Sequence, residues 1–308
     1  MASSTEMGHQ RPWGVRAGWP MGTREGVRQT EVRTTTLPSG EHVPVLGLGT
    51  WRMGERRRHR GDEVAALRLG IDLGMSLIDT AELYDDGGAE ELVGEAIEAR
   101  RDEVFLVSKV QPSNAGRTAA VRACEASLRR LRTDRLDLYL LHWRGSTPLE
   151  ETLDAFTRLV EDGKVRHWGV SNFDVSDMAE LVDLPAGGAV ASDQVVYSLA
   201  RRGIEADLLP WCQDRGIPVM AYSPVDQGRL LRHPVVETVA RRNNVTPAQV
   251  TLAWVLRQDG VTTIPKAGTP DHVRENRAAL DLQLTQEDLA ELDGAFPPPA
   301  EPQPLETL

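Results

Sequence analysis

Leu77-Ile78-Asp79-Thr80-Ala81-Glu82-Leu83-Tyr84 is a short apolar run that stops at a carboxylate and is followed within a few residues by a tyrosine. It reads as a buried strand with Asp79 at its rim, where an unpaired carboxylate would be strongly disfavoured away from water. Two further runs end in the same way. Val104-Phe105-Leu106-Val107-Ser108 stops at Lys109, and Leu136-Asp137-Leu138-Tyr139-Leu140-Leu141 stops at His142. Asp, Tyr, Lys and His delivered by strand ends compose a proton-handling site.

Outward from these runs the pattern alternates with a period of about 30 residues. Leu46-Gly47-Leu48-Gly49-Thr50-Trp51 reads as the first strand of the series. Helical spacing over 62–73 leads to strand 77–79, 89–99 to 104–109, and 118–131 to 136–142. Helix 149–161 leads to strand 165–170, 175–181 to 192–196, and 204–215 to 218–223. Helices 236–243 and 247–258 precede strand 261–264, and helix 271–280 follows. Eight strands with helical crossovers imply parallel, right-handed connections, and eight such units in about 250 residues predict an α/β fold of the (β/α)8 TIM-barrel type. Residues 34–45 add an N-terminal β-hairpin turning at Pro38-Ser39-Gly40. A doubly wound sheet is the alternative, but its G-x-G-x-x-G fingerprint is missing, since Arg52 stands where the third glycine should be. Pro297-Pro298-Pro299 ends the regular structure and a short polar tail follows. Residues 1–30 are rich in Gly, Arg, Ser and Pro without an apolar h-region, and read as a disordered extension, with Met21 as another possible start. Residues 31–308 are expected to form a single barrel domain.

The 308 residues carry 35 Lys and Arg against 46 Asp and Glu, a net charge of −11, which argues against nucleic acid or an anionic membrane as partner. No apolar run reaches the roughly 18 residues of a membrane span. Cys124 and Cys212 lie far apart without metal-ligand spacing around either, so a reduced, cytoplasmic chain is expected.

In a barrel the active site lies at the C-terminal ends of the strands. Tyr84 is then the proton donor. A free phenol, with a pKa of about 10, is a weak acid near neutrality, and Lys109 is placed to stabilise the phenolate and lower that value. Asp79 can pair with Lys109, and His142 can hydrogen-bond and orient a substrate oxygen. Trp51 and Trp143 are candidate apolar walls of a small-ligand cleft.

With these residues the chain resembles the aldo-keto reductases, over about 34–296 and in family order. The matching motifs are Gly47-Leu48-Gly49-Thr50-Trp51, Asp79-Thr80-Ala81 with Tyr84, Gly94-Glu95-Ala96-Ile97, Ser108-Lys109 and Leu138-Tyr139-Leu140-Leu141-His142-Trp143. Gly169-Val170-Ser171-Asn172-Phe173, Gln194-Val195, Ala221-Tyr222-Ser223-Pro224 and Ile264-Pro265-Lys266 follow. Within the family the chain is most similar to small bacterial reductases of the methylglyoxal and diketogluconate type.

The resemblance implies a barrel that binds NADPH, uses no metal and has the tetrad Asp79, Tyr84, Lys109 and His142. It implies hydride transfer to a carbonyl carbon while Tyr84 protonates the oxygen. By residue matching, Ser171, Asn172 and Gln194 hold the carboxamide and Tyr222 stacks on the nicotinamide. Gly49, Thr50, Trp51, Asp79, Ser223 and Val225 complete that end, while Lys266, Ala267 and His272 face the 2′-phosphate and Glu275 and Asn276 the adenine. Thr269 as N-cap and Pro270 at the first helical position give the phosphate end an independent logic. The family pattern has serine at Ala267 and arginine at His272, so some NADH use is expected beside NADPH. Trp51, Tyr84, His142 and Trp143 are the expected substrate contacts. Arg144, often proline in the family, is expected to be a solvated charge or an attractor of substrate carboxylates. The short tail predicts an open mouth and broad specificity.

The expected activity is that of a monomeric reductase of small aldehydes, dicarbonyls or ketones. Two alternatives are a sugar or alcohol dehydrogenase working oxidatively and a non-catalytic cofactor-binding regulatory subunit.

Overall fold

The computed structural model describes residues 32–308. The extension expected over 1–30 lies outside the described residues. Strands β1 (Thr34–Thr36) and β2 (His42–Pro44) form the antiparallel hairpin, with Thr35 opposite Val43. Then come β3 (Leu48–Gly49), α1 (Arg60–Asp72), β4 (Leu77–Asp79), α2 (Gly88–Ala96) and β5 (Phe105–Val110). The series continues with α3 (Arg117–Leu131), β6 (Leu136–Leu141), α4 (Leu149–Glu161), β7 (Val165–Ser171), α5 (Val175–Asp183) and β8 (Asp193–Val196). It ends with α6 (Leu208–Asp214), β9 (Val219–Tyr222), α7 (Pro234–Arg242), α8 (Pro247–Leu256), β10 (Val261–Thr263), α9 (Pro270–Ala278) and α10 (Gln286–Ala295).

The eight strands β3 to β10 pair in sequential order, all parallel. The two edges meet through parallel bridges, Leu46 to Thr263 and Gly49 to Lys266, with Gly47 N donating to Thr263 O at 2.8 Å. Glycine at 49 is required by this closure: a β-carbon there would lie 2.5 Å from the Ile264 carbonyl oxygen. The expected barrel is therefore present, with eight strands counted from Leu46.

Alternation along the strands sorts the residues into two layers. Leu77, Phe105, Val107, Leu138, Leu140, Met220 and Ile264 fill the barrel interior, and Leu37 and Val43 of the hairpin plug its base. Ile78, Leu106 and Val110 face outward into the larger core under the helices. The same period places Asp79 above Leu77 and Lys109 above Val107, so the polar residues are the topmost members of the inward-facing rows.

Two sequence expectations need correction. Helix 204–215 is broken: a 3-10 turn at Gly203–Ala206 precedes α6, which Asp207 caps through the Leu208 amide. Pro210 has no N–H to donate to residue 206, so the helix cannot run back through that turn. Helix α10 lies beyond the last helix expected from the sequence, 271–280. It opens on a capping box, with Thr285 accepting from the Asp288 amide and Asp288 accepting from the Thr285 amide. Only Asp288 and Leu292 of it are buried, so its apolar periodicity is weak.

Among the described residues, no helix is long and apolar enough to cross a membrane.

Candidate active site

Lys109 is wholly buried at the upper end of β5, and its ammonium is the hub of the site. Nζ donates to Asp79 Oδ2 at 2.7 Å, to the Thr80 carbonyl at 2.9 Å and to the Tyr84 hydroxyl at 3.2 Å. The other Asp79 oxygen accepts from Gln194 Nε2 at 2.8 Å, so both oxygens of this buried carboxylate are occupied. The imidazole of His142 meets the Tyr84 ring edge-on, with centroids 5.8 Å apart. All four residues expected at the site converge.

Burial disfavours the Lys109 ammonium, but Asp79 and Tyr84 more than offset it, so its pKa is raised and the side chain stays charged. The sequence predicts a Tyr84 phenol made more acidic by Lys109. In the structure burial outweighs the ammonium and Asp79 adds to the rise, so the phenol lies above its ordinary value. An ammonium already paired with a carboxylate has only part of its field to spend on the phenol. Burial, and next to it Lys109, pushes His142 down to about 3, leaving the imidazole neutral throughout the working range. Its Nδ1 is buried without a protein partner.

Beside the tetrad runs a row of polar side chains from β7, β8 and β9. Ser171 Oγ donates to the Gln194 carbonyl at 2.7 Å, and Asn172 Nδ2 donates to the His142 carbonyl at 3.1 Å. The Tyr222 hydroxyl donates to Asn172 Oδ1 at 2.9 Å. Asn172 and Ser223 both adopt left-handed backbone, with φ of 59° and 52°. Thr50 is buried and donates to the Asp79 carbonyl at 2.9 Å, tying β3 to β4. Gln194 is thus engaged with Asp79 as well as standing in the expected carboxamide row.

Residues Lys266 to Asn276 lie along the closing edge. Thr269 caps α9 by accepting from the His272 amide at 3.4 Å, as its sequence position predicts. Lys266 and His272 are exposed, whereas Ala267 and Asn276 are buried and Glu275 is half-buried. A β-carbon on Gly268 would come 2.8 Å from Lys266 Nζ, so the missing side chain leaves room for that ammonium.

At the mouth Trp51, Leu83 and Trp143 are each about two-fifths exposed, at 43%, 42% and 40%. Leu83 escapes the sequence reading because a single apolar residue next to the tyrosine looks like packing. Arg144 is neither a solvated charge nor free for substrate: it bonds Asp177 at 2.6 Å and Glu180 at 2.7 Å. The tail does not simply leave the mouth open. Glu306 pairs with Arg201, and the Leu308 amide donates to the Tyr222 hydroxyl at 3.3 Å.

Two carboxylate anchors behind the site have no signature in the sequence. Glu82 Oε1 accepts from the Gln111 amide at 2.9 Å and from Asn114 at 3.0 Å, holding the Tyr84 segment to the loop after β5. Glu90 and Arg130 form a second such anchor on α2 and α3.

A parallel barrel with Asp, Lys, His and a loop Tyr converging at its C-terminal mouth defines a class of oxidoreductase-type sites. Residues 45–296 match the Aldo/keto reductase family, and the chain belongs to that family. It is 57% identical over 262 residues to methylglyoxal reductase YeaE of Escherichia coli (strain K12), covering 83% of this chain and 92% of that protein. Glyoxal reductase of Bacillus subtilis (strain 168) is 37% identical over 264 residues, covering 84% and 91%. The crystal structure of an aldo/keto reductase from Klebsiella pneumoniae in complex with NADP and acetate superimposes with a TM-score of 0.88 at 53% identity, covering 90% of this chain and all of that one.

Proposed function

We propose that this aldo-keto reductase reduces small aldehydes and dicarbonyls, methylglyoxal-like compounds first among them, with NADPH as donor and Tyr84 as general acid. The observation that carries the proposal is the Lys109 ammonium lying between Asp79 and the Tyr84 hydroxyl, at 2.7 and 3.2 Å, beside a neutral His142. The likeness to methylglyoxal and glyoxal reductases supports the substrate class, and the NADP-bound relative supports the cofactor.

The residues present fit a pyridine dinucleotide. Ser171, Asn172 and Gln194 present amide and hydroxyl groups in one row next to the half-buried ring of Tyr222, matching a carboxamide and an aromatic ring. Gly49, Thr50, Trp51, Ser223 and Val225 border this end. At the other end Lys266, at the capped N-terminus of α9, suits an anionic group, with Ala267 and His272 beside it and Glu275 and Asn276 toward the adenine. The bound nicotinamide supplies the hydride.

The protein's share is alignment and proton delivery. Tyr84 is held protonated by burial and so is loaded as an acid, and Lys109 stabilises the phenolate left behind when the proton passes to the carbonyl oxygen. Neutral His142 offers one hydrogen bond to that oxygen and fixes its direction. The raised Tyr84 pKa keeps the group in its acid form at neutral pH, the form that reduction uses, whereas oxidation uses it as a base. The apolar rim of Trp51, Leu83 and Trp143 would seat the substrate's carbon skeleton. Two free, buried cysteines support a cytoplasmic setting, and the scarcity of other exposed large apolar side chains among the described residues supports a monomer.

The test is NADPH oxidation with methylglyoxal, glyoxal and nitrobenzaldehyde by wild type and Tyr84→Phe. A fall in kcat of about 10²-fold or more is expected for loss of a positioned general acid. Equal rates would remove Tyr84 from that role.

A further inference from the structure

The segment after Tyr84 follows an unusual backbone course. Asp85 and Asp86 have φ of 51° and 49°, and Gly87 of 92°, three consecutive left-handed residues of which two carry side chains. Such backbone persists only where the surroundings over-determine it. One neighbour that confines the turn is Arg130 on α3. A β-carbon on Gly87 would lie 2.5 Å from Arg130 Cδ and Nε, so the arginine stem occupies the space that a side chain at 87 would need. Arg130 is in turn fixed by Glu90: its Nε donates to Oε2 at 2.6 Å. Glu90 is wholly buried, and its other oxygen accepts from Ser108 Oγ at 2.6 Å. Ser108 directly precedes Lys109 on β5, with its side chain on the opposite face of the strand.

We infer that Glu90 is a positioning residue for the reaction: through Arg130 it sets the turn that carries Tyr84, and through Ser108 it anchors the strand that carries Lys109. One buried carboxylate thereby fixes the two groups whose separation governs proton delivery. The inference rests on the assignment of Tyr84 as the acid. It differs from a merely structural role for Glu90, which would tie α2 to α3 and β5 without any coupling to the phenol. A displacement of Tyr84 by a fraction of an ångström is enough to matter, because misplacement by about 1 Å costs on the order of 10²-fold in rate.

The test compares Glu90→Gln and Arg130→Met in the wild-type and Tyr84→Phe backgrounds of the full chain, with methylglyoxal and NADPH as probes. Each substitution is expected to lower kcat about tenfold, with the NADPH dissociation constant changed by less than about twofold. In the Tyr84→Phe background neither should lower the residual rate further, since no phenol is left to position. Arg130→Lys should recover part of the loss. A kcat within twofold of wild type, or the same fold loss in both backgrounds, would overturn the inference. Should Glu90→Gln not fold, Arg130→Met supports the same comparison, as Arg130 is partly exposed at its end of the contact. A Tyr84→Phe enzyme as fast as wild type would refute the acid assignment and this inference together. An impaired Tyr84→Phe beside a fully active Glu90→Gln would refute the inference alone.

Discussion

The two ends of the proposed cofactor crevice are built on opposite electrostatic terms. At the reaction end the Lys109 and Asp79 side chains are 0% and 3% exposed, and every polar atom of the pair has a named partner within 3.2 Å. At the adenosine end Lys266 and His272 stand in solvent around a helix cap whose hydrogen bond is 3.4 Å long. Charges interact several-fold more strongly in the poorly polarisable interior than at the surface, and salt screens only the latter appreciably. Substitutions at the first end should therefore be close to all-or-none, and those at the second graded and sensitive to salt.

The sharpest way to break this contrast is Lys109→Met. It leaves Asp79 buried with Gln194 as its remaining side-chain donor, and removing one partner of a buried pair costs about 3–5 kcal/mol of stability. Activity should fall by about 10³-fold or more, since in the proposed mechanism Lys109 is the cation that stabilises the phenolate. Adding Asp79→Asn should recover much of the stability and none of the activity, as thermal melts and NADPH oxidation together would show. A single Lys109→Met variant as stable as wild type would mean that water reaches Asp79 and that the end is less dry than its burial indicates.

Next in size is the pH dependence. In the proposed mechanism reduction needs Tyr84 protonated, Lys109 charged and His142 neutral. Tyr84 and Lys109 both titrate above their ordinary values near 10, and His142 only at about 3. Activity should therefore be present throughout the neutral range and be lost as pH rises through the Tyr84 value, with kcat flat from about pH 5 to about pH 9. A break near pH 6.5, the ordinary histidine value, would show that His142 takes up a proton in the working enzyme.

The Tyr84 result also marks how far a sequence can carry such an argument. Asp79, Lys109 and His142 were legible because each closes an apolar run, and a period of two aims them inward with Leu77, Val107 and Leu140 beneath them. Thr269-Pro270 announced its helix start for equally local reasons. The direction of the phenol's shift was not legible, because it is a contest between a charge, which the sequence names, and burial, which only the packed fold sets. Glu90 and Arg130 were hidden for a related reason: a glutamate and an arginine on amphipathic helices look like solvated faces until the barrel brings α2 and α3 together over Gly87. Helix α10 lacked an apolar stripe, although the Thr285-to-Asp288 spacing of its capping box was there to be read.

The smallest expected effect tests the exposed end itself. In the proposed reading His272 stands where a family arginine would grip the 2′-phosphate, and a neutral imidazole offers one donor where a guanidinium offers a bidentate fork. His272→Arg should therefore tighten NADPH while leaving NADH nearly unchanged. Because the position is solvent-exposed, the gain should be about 1 kcal/mol or less, roughly fivefold in the ratio of the two dissociation constants. Fluorescence titration with each nucleotide measures that ratio directly. Repeating it between low salt and about 0.15 M should shrink the gain, since the Debye length falls to about 8 Å. A gain independent of salt would show that position 272 becomes buried when the nucleotide binds, so that the adenosine end is closed after all. An unchanged ratio would place His272 outside the phosphate site and leave Lys266 and the α9 amides as its only grip.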